Sequence, residues 1–466
     1  MPLIAPYFPE LALAGVALIL ILFARRISSP SFALAAVLFA SVLSAGLAFR
    51  APVADEFARF FKILFSATLA LSAMLSLRRL SEEHVPWSEY FSLLLLATTG
   101  MMLAASAKDL LMLYLGLELM ALSSYILVGI ERDRPQATEA AFKYFVLGSF
   151  ASAVLLYGAA LAWGFSGGHL EFAAIADALS GRSLTTEPLI GVAVALMIGG
   201  LAFKISAVPF HAWAPDAYEG AGAPIAAFLA VGSKIAGFAV LGRVCLTAFP
   251  DFWNAWSLIL SILAVLSMVI GNLLALPQKN VKRMLAYSSI AHAGYALLGV
   301  LGGTPMDFAS TASYLFAYAF MTLGAFAVVI RLGERGEDLT GYEGLAEQSP
   351  WTAGLMLLFL LSLTGIPPTA GFAAKFLVFR SALASGYTLL AVLGVLCSVI
   401  SAFFYLRVAV LMYMKPALRD RPDRLSAPVA LALGIAAGVV LLSGVFPESF
   451  SEWGRMSTSA MVPFEP

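Results

Sequence analysis

The sequence predicts an all-α membrane protein that crosses the bilayer about 14 times. Of its 466 residues, 61% are hydrophobic and only 12% are charged, and the mean hydropathy is +0.90. A helix needs about 20 apolar residues to cross the hydrocarbon core, so this length leaves room for roughly 14 spans. We place the spans at residues 4–24, 31–50, 57–77, 89–107, 109–130, 138–164, 188–217, 222–247, 252–276, 281–302, 306–332, 350–381, 386–414 and 427–446.

The charged residues and the cysteines argue against two other classes of protein. The 28 basic residues balance the 28 acidic ones, so the sequence suggests no nucleic-acid-binding surface. Cys245 and Cys397 fall in or at the ends of separate predicted spans, and the sequence has no CxxC motif. We therefore expect no zinc, haem or iron–sulfur site in this chain.

The distribution of basic residues predicts the orientation, because short cytoplasmic loops are enriched in Lys and Arg. Basic residues recur after every second span: Arg25, Arg26, Arg78, Arg79, Arg132, Arg134, Lys279, Lys282, Arg283, Arg331, Arg335, Lys415, Arg419, Arg421 and Arg424. The alternate loops carry one or two at most. Fourteen spans with both termini outside satisfy this bias. The predicted cytoplasmic segment 214–223 has no basic residue and is the exception.

Two predicted spans contain residues that break helices. The seventh reads LAFKISAVPFHAWAPDAY and the twelfth reads LSLTGIPPTAGFAAKF, with breaking residues Pro209, Pro215, Gly365, Pro367, Pro368 and Gly371. Proline within a helix removes a backbone hydrogen bond, and such breaks persist at membrane depth only inside protein or beside water. The simpler alternative is that Pro and Gly are commoner in membrane helices. We favour a functional break in both spans, because each lies within several residues of a lysine.

The two broken spans are five apart, which predicts two repeats of five helices. Interrupted spans at corresponding positions of two halves are typical of transporters. Because five is odd, the second copy enters the membrane from the opposite side, so the repeats are inverted. We expect one membrane domain over residues 1–466, comprising helices 1–3 in 1–88, repeats in 89–248 and 252–414, and a last helix in 427–446.

Four ionisable residues lie inside apolar runs long enough to cross a bilayer: Glu118, Lys204, Lys234 and Lys375. A charged side chain near the membrane centre costs at least about 2.5–3.5 kcal/mol, so such residues usually mark ion pathways or proton relays. A lysine removed from water can hold or release a proton near neutral pH. The series of lysines therefore predicts a proton pathway along the membrane midplane.

Lys204 is the most plausible cation to pair with Glu118, since a buried carboxylate without one takes up a proton. A static salt bridge that fixes helix packing is the alternative for this pair. That alternative is weaker for Lys234 and Lys375, because the spans hold no further acid to neutralise them.

Three further residues are weaker candidates for proton transfer: His292, His211 and Lys143. His292 follows two serines and can pass protons through both ring nitrogens, although a core histidine with satisfied hydrogen bonds is about as plausible. His211 lies within the first break, where it can bond freed carbonyl groups. Lys143 forms an i,i+4 pair with Glu139, which is either an exposed helix pair or part of a proton uptake site.

Three motifs resemble the antiporter-like membrane subunits of respiratory complex I. They read VPFHAWAPDAYEGAGAPIAAFLAVGSKIAG, VKRMLAYSSIAHAGYALLG and LTGIPPTAGFAAKFLVF. The resemblance extends over about residues 60–450. It implies a fold of 14 helices with inverted five-helix repeats. It also implies pumping residues in helices five, seven, eight and twelve, which fall on Glu118, Lys204, Lys234 and Lys375.

Among these subunits the chain is most similar to the N type of bacterial NADH–quinone oxidoreductase. The M type has a glutamate where this chain has Lys375, and the L type extends into a long lateral helix, whereas this chain stops about 20 residues after its last span. The resemblance implies M-, K- and J-type neighbours, a bacterial inner membrane, and a hydrophilic arm. It also implies that NAD, FMN, iron–sulfur clusters and quinone are bound elsewhere in the complex.

Three functions compete on this evidence. The first is a proton-translocating subunit driven by redox chemistry in other subunits. The second is a cation/proton antiporter subunit or the membrane subunit of a related hydrogenase-type complex. The third is a scaffold that joins neighbours without pumping, but a scaffold gains nothing from three buried lysines.

Overall fold

The computed structural model describes residues 4–24, 29–50, 55–82, 85–417 and 425–458. Five of the basic residues that predict the orientation, Arg25, Arg26, Arg419, Arg421 and Arg424, lie outside this part of the chain. Within the described ranges the only β-type pairing consists of two isolated bridges. The all-α prediction is therefore confirmed for the described residues.

The described residues form twenty α-helices: α1 (Phe8–Leu22), α2 (Pro30–Arg50), α3 (Glu56–Glu82), α4 (Trp87–Ser106), α5 (Leu110–Val128), α6 (Pro135–Phe165), α7 (Phe172–Leu179), α8 (Pro188–Lys204), α9 (Trp213–Gly220), α10 (Ala223–Phe228), α11 (Lys234–Arg243), α12 (Trp253–Ala275), α13 (Val281–Leu298), α14 (Pro305–Leu332), α15 (Leu345–Gln348), α16 (Pro350–Thr364), α17 (Ala370–Ala384), α18 (Thr388–Met414), α19 (Ala427–Val445) and α20 (Pro447–Thr458). Eleven helical stretches are long and apolar enough to cross a membrane, and two shorter apolar helices are α8 and α16. The chain is thus a multi-pass membrane protein.

Helix interruptions occur at both predicted positions. Helix α8 ends at Lys204 and α9 begins at Trp213, while α16 ends at Thr364 and α17 begins at Ala370. Gly365 ends α16 with a φ of 91°, a left-handed conformation that glycine adopts without strain. The prediction that Pro215 lies in the break is wrong. Pro215 lies in the first turn of α9, where the missing N–H has no helical partner to lose.

The core of the chain lies around α14 and the helical segment 223–248, because the most apolar part of that segment is completely buried. This segment contains two π-helical turns, Leu229–Ser233 before α11 and Val244–Ala248 after it. Helix α14 packs against α10, α13, α16, α17, α19 and α20. Lys234 lies within this central segment, Lys204 lies on α8, which packs against α11, and Lys375 lies on α17, which packs against α14.

Glycines bring α4 and α5 into backbone contact. A Cβ atom at Gly116 would lie 2.5 Å from the Ala104 nitrogen, and one at Gly100 would lie 2.5 Å from the Met120 nitrogen. Small residues allow such close helix approach in membranes, where packing drives association. This crossing fixes the part of α5 that carries Glu118, two residues beyond Gly116.

We predict that Gly116→Ala lowers the thermal stability of the protein in detergent. Either helix must move to admit the methyl group, which costs about 1–3 kcal/mol. Gly438→Ala is the matched control, because its Cβ would enter open space on α19. The control is expected to be neutral or up to about 1 kcal/mol more stable. Equal melting temperatures for the two variants would contradict the packing argument.

Candidate functional site

Glu118 and Lys204 are joined through a serine that the sequence analysis did not single out. The buried hydroxyl of Ser152 on α6 donates to Oε1 of Glu118. Nζ of Lys204 lies 3.5 Å from the same Ser152 Oγ and donates to it. No ion pair within 4.0 Å joins the carboxylate and the ammonium, both of which are described. Lys204 and Glu118 are therefore linked through a hydroxyl that accepts from Lys204 and donates to Glu118, without direct contact between the two charged groups.

The two ends of this Glu118–Ser152–Lys204 bridge differ in burial. Lys204 is buried and is the last residue of α8, where the carbonyl end of the helix dipole favours a positive charge. Glu118 is only half-buried, and the neighbouring side chains Leu115 and Leu122 on α5 are exposed. The carboxylate therefore lies at the edge of the chain, a position that no pattern in the sequence indicates.

Lys234 is the first residue of α11 and follows directly after a π-helical turn. Its Nζ donates to the backbone carbonyl of Ser289 and to Ser289 Oγ at 3.1 Å. The ring of Tyr318 is centred 6.0 Å from the same nitrogen. π-Helical turns occur often at functional sites, and here the turn precedes a lysine that has no carboxylate within 4.0 Å among the described residues.

Lys375 on α17 fills the second helix break. Its Nζ donates to the carbonyl oxygens of Leu363 at 3.0 Å and Thr364 at 2.8 Å, and to Ser398 Oγ at 2.7 Å. Those carbonyl groups end α16, so the break leaves them free of helical partners. The ring of Tyr295 lies 4.7 Å from the ammonium. The interruption thus supplies oxygen acceptors to a buried cation without using a carboxylate.

His292 is buried on α13 between two tyrosine hydroxyls. Nδ1 lies 2.5 Å from the Tyr314 hydroxyl and Nε2 lies 3.2 Å from that of Tyr405. The Tyr405 hydroxyl also bonds to Ser288 Oγ, next in sequence to the serine that binds Lys234. His292 therefore belongs to a hydrogen-bonded group that begins beside Lys234.

Aromatic rings connect the surroundings of Lys234 and Lys375 through the same histidine. The His292 ring is centred 5.5 Å from that of Tyr318, which faces Lys234, and 5.7 Å from that of Tyr295, which faces Lys375. His292 thus lies between the two lysines. The sequence did carry a signal for part of this group, because Ser289 and Tyr295 are three residues from His292 on either side and share its helix face.

The groups around Lys204 and Lys234 approach each other where α8 and α11 pack together. Gly237, one turn beyond Lys234, lies against the backbone of Lys204 and Ile205; a Cβ at Gly237 would be 3.3 Å from the Lys204 carbonyl carbon. Glycine at this position permits the close approach. The fold therefore brings the Glu118–Ser152–Lys204 bridge next to the helix that carries Lys234.

The remaining candidates, Lys143 and His211, lie apart from these groups. Lys143 is 45% exposed and pairs with Glu139 at 2.8 Å, as expected, and also with Asp216 at 3.2 Å on α9. Asp216 accepts in turn from Arg283 at 2.9 Å. His211 lies between α8 and α9, and its buried Nδ1 has no hydrogen-bond partner among the described residues. Three or more metal-ligating side chains do not cluster anywhere in the described ranges.

Comparison with known proteins places this arrangement in a family. Residues 107–401 match the family model for the transmembrane region of NADH:quinone oxidoreductase and Mrp antiporters. NADH-quinone oxidoreductase subunit N of Desulfovibrio desulfuricans is 46% identical over 421 residues, covering 86% of this chain and 83% of the relative.

Solved structures show the same fold over almost the whole chain. A chain of respiratory complex I from Thermus thermophilus with bound aureothin is 33% identical, with a TM-score of 0.81 and coverage of 96% of this chain and 99% of that one. A chain of the membrane-bound sulfane sulfur reductase, an archaeal respiratory membrane complex, is 25% identical, with a TM-score of 0.87 and coverage of 97% and 98%. The chain therefore belongs to the family of NADH:quinone oxidoreductase and Mrp antiporter membrane subunits, and within it to the N subunits of NADH–quinone oxidoreductase.

Proposed function

We propose that this chain translocates protons as a membrane subunit of an NADH–quinone oxidoreductase, driven by redox chemistry in other subunits. Membership among the N subunits supports the assignment. The observation that carries the mechanism is that Lys204, Lys234 and Lys375 are buried and bonded to hydroxyl or carbonyl oxygens and not to carboxylates. An ammonium held by neutral groups can lose its proton without leaving an unpaired anion behind.

We assign proton translocation to Glu118, Lys204, Lys234 and Lys375, with His292 as the link between the last two. Hydroxyl groups and both ring nitrogens of a histidine can accept one proton and give up another. A cation at Lys375 repels a proton arriving at Lys234, so transfer between them is stepwise. In this scheme protons move from one lysine to the next, and each lysine regains a proton from the preceding one.

Two weaker candidates fit at the predicted cytoplasmic side. Lys143, with Glu139 and Asp216 as partners, is exposed to water and suits proton uptake. His211 has a buried nitrogen without a described partner, which can accept a hydrogen bond from water in the first helix break. Both assignments rest on position alone, so neither is needed for the central pathway.

We further propose 14 crossings with both termini outside and inverted repeats over residues 89–248 and 252–414. The eleven long stretches, together with α13 and the broken pairs α8/α9 and α16/α17, make up this number. Matching glycine contacts support the repeats. Gly100 on α4 meets the backbone of Met120 on α5, and Gly271 on α12 meets the backbone of Ala291 on α13, the corresponding pair of the second repeat.

The proposed assembly contains M-, K- and J-type membrane subunits beside this chain in the bacterial inner membrane, with lipid around them. NAD, FMN, iron–sulfur clusters and quinone act in other subunits of that complex. The half-buried Glu118 fits such an assembly, because a carboxylate at the edge of a membrane protein is stable only when a neighbouring protein or water covers it.

A cation/proton antiporter subunit is the second candidate, since the matching family also includes Mrp antiporters. A sodium site needs several oxygen ligands without a competing positive charge, and each buried site here already holds a lysine ammonium. Purification of the intact complex distinguishes the candidates. NADH:quinone activity and quinone-binding subunits in the preparation support the first, whereas proton flux driven by a sodium gradient without these subunits would support the second.

Removal of the Ser152 hydroxyl is predicted to slow pumping. Ser152→Ala leaves Lys204 without its described hydrogen bond, and a catalytic proton-transfer group contributes roughly 100-fold or more to rate. NADH-driven acidification of sealed inverted vesicles measures the effect. Ser152→Thr retains the hydroxyl and should restore much of the rate. Ser166→Ala is the control, because its hydroxyl bonds to the carbonyl of Trp163 in the last turn of α6 and to that of His169 in the following loop. A Ser152→Ala rate equal to the control rate would refute the bridge.

Lys375→Arg is predicted to preserve assembly and abolish most proton translocation. Arginine keeps the positive charge that the carbonyl groups of α16 bind, but it does not release a proton at working pH. The amount of assembled complex is measured by native electrophoresis, and pumping by the vesicle assay. Full proton translocation by an assembled Lys375→Arg complex would make this residue an electrostatic anchor and not a carrier.

A further inference from the structure

Two ion pairs outside the lysine pathway hold the N-terminal helices in place: the first ties the start of α3 to α11, and the second ties α1 to α3. The first is Arg243 with Asp55, linked through both carboxylate oxygens at 2.7 and 2.8 Å. Arg243 Nε also donates to the Ala105 carbonyl at 2.6 Å, and the guanidinium lies 4.6 Å from the ring of Phe57. Burial alone would raise the pKa of Asp55, yet the bonds to Arg243 hold it below its usual value. This pair is fully satisfied and permanently charged.

The second pair, Glu10 with Lys62, is incompletely satisfied. Lys62 Nζ lies 2.8 Å from Glu10 Oε1 and donates to the Pro6 carbonyl at 2.8 Å. Lys62 is 0% and Glu10 2% exposed. Ser106 Oγ is 3.5 Å from Oε1, but Oε2 of Glu10 is buried with no partner among the described residues.

A purely structural role accounts poorly for the second pair. Removing two ions from water is costly, and well-packed apolar residues of similar volume often stabilise a protein equally or better. An unpartnered carboxylate oxygen adds to that cost. The same region already has a fully bonded ion pair, Arg243 with Asp55, that can hold its helices together. A lysine and a carboxylate with a free oxygen can instead exchange protons, which the arginine pair cannot.

The Glu10–Lys62 pair lies near one surface of the membrane. Glu10 is in the first turn of α1, and Ser106 is the last residue of α4. The predicted orientation places both of these helix ends on the outer side. Lys234 and Arg243 begin and end α11, about 13.5 Å apart at 1.5 Å per residue, so one helix leads from the buried lysines to this side.

We propose that Glu10 and Lys62 form a proton-release site, an inference that rests on the proton-translocating function proposed above. Lys62 Nζ transfers a proton to Glu10 Oε1, which breaks an N–H bond, forms an O–H bond and leaves both groups neutral. The carboxylic acid then gives its proton to water at the outer surface. A proton from within the chain returns Lys62 to the ammonium form and restores the ion pair.

The charged and titratable neighbours of the pair fit this cycle. Tyr7 faces Lys62, with its ring 5.9 Å from Nζ. Asp55 and Arg243 neutralise each other, so neither fixes the charge of Lys62. Of the groups that face the pair, Glu10 is the one within bonding distance that can both receive and release the lysine's proton.

The test uses the intact complex in sealed inverted vesicles, with NADH-driven acidification as the readout. Lys62→Arg keeps the ion pair but cannot release its proton, so the pumping rate should fall at least about tenfold with the amount of assembled complex unchanged. Glu10→Asp keeps both functional groups and should retain part of the rate. Wild-type pumping by Lys62→Arg would overturn the proposal.

A second variant tests the proposal in case the complex that carries Lys62→Arg does not assemble. The double substitution Glu10→Gln with Lys62→Met removes both charges and approximates the side-chain volumes. A structural pair tolerates this replacement, whereas a release site loses pumping, so normal pumping by the double variant would also overturn the proposal. Lys375→Arg is assayed in parallel. If it blocks pumping and Lys62→Arg does not, only the release site fails; if neither blocks, the lysine pathway itself fails.

Discussion

The arrangement of the whole chain depends on holding lysine ammonium groups in the membrane without carboxylate partners. Lys234 uses a serine carbonyl and hydroxyl, and Lys375 uses two carbonyl groups at the end of α16. Regular helices have no free carbonyls in the membrane interior, so the break after Thr364 is what makes the second site possible. The positive charge of Lys375 therefore requires the break between α16 and α17.

The choice between lysine and arginine separates the buried charges by role. Arg243 has a carboxylate bonded through both oxygens, a carbonyl acceptor and an aromatic neighbour, and it ties α11 to the start of α3. Lys204, Lys234 and Lys375 have neutral partners, and Lys62 has an incompletely bonded carboxylate. The buried Lys282, which pairs with Glu337 at 2.7 Å, is the exception among the lysines. Because only lysine can lose its proton at working pH, the Arg243 pair is suited to hold helices in place, whereas Lys62, Lys204, Lys234 and Lys375 are suited to carry protons.

Sequence reasoning predicted the helical class and both helix interruptions, and it singled out four ionisable residues within apolar runs, because each of these features depends on local composition. It missed Ser152, Tyr314, Tyr318 and Tyr405, since they reach the site from other helices and small or aromatic residues are common in any span. It named Lys204 as the cation for Glu118 but not the serine between them. Whether a serine lies between these side chains depends on how α5, α6 and α8 cross, which local sequence does not determine.

In the proposed mechanism, protons pass between Lys234 and Lys375 through the group around His292, and removal of a single hydroxyl oxygen tests this step. Tyr405→Phe removes the hydroxyl that joins His292 to Ser288, whereas Tyr413→Phe removes an exposed side chain's hydroxyl on the same helix. The measurement is the initial rate of NADH-driven proton translocation by the assembled complex in sealed vesicles. We expect the rate to fall roughly tenfold or more for Tyr405→Phe alone. Equal rates for the two variants would contradict it.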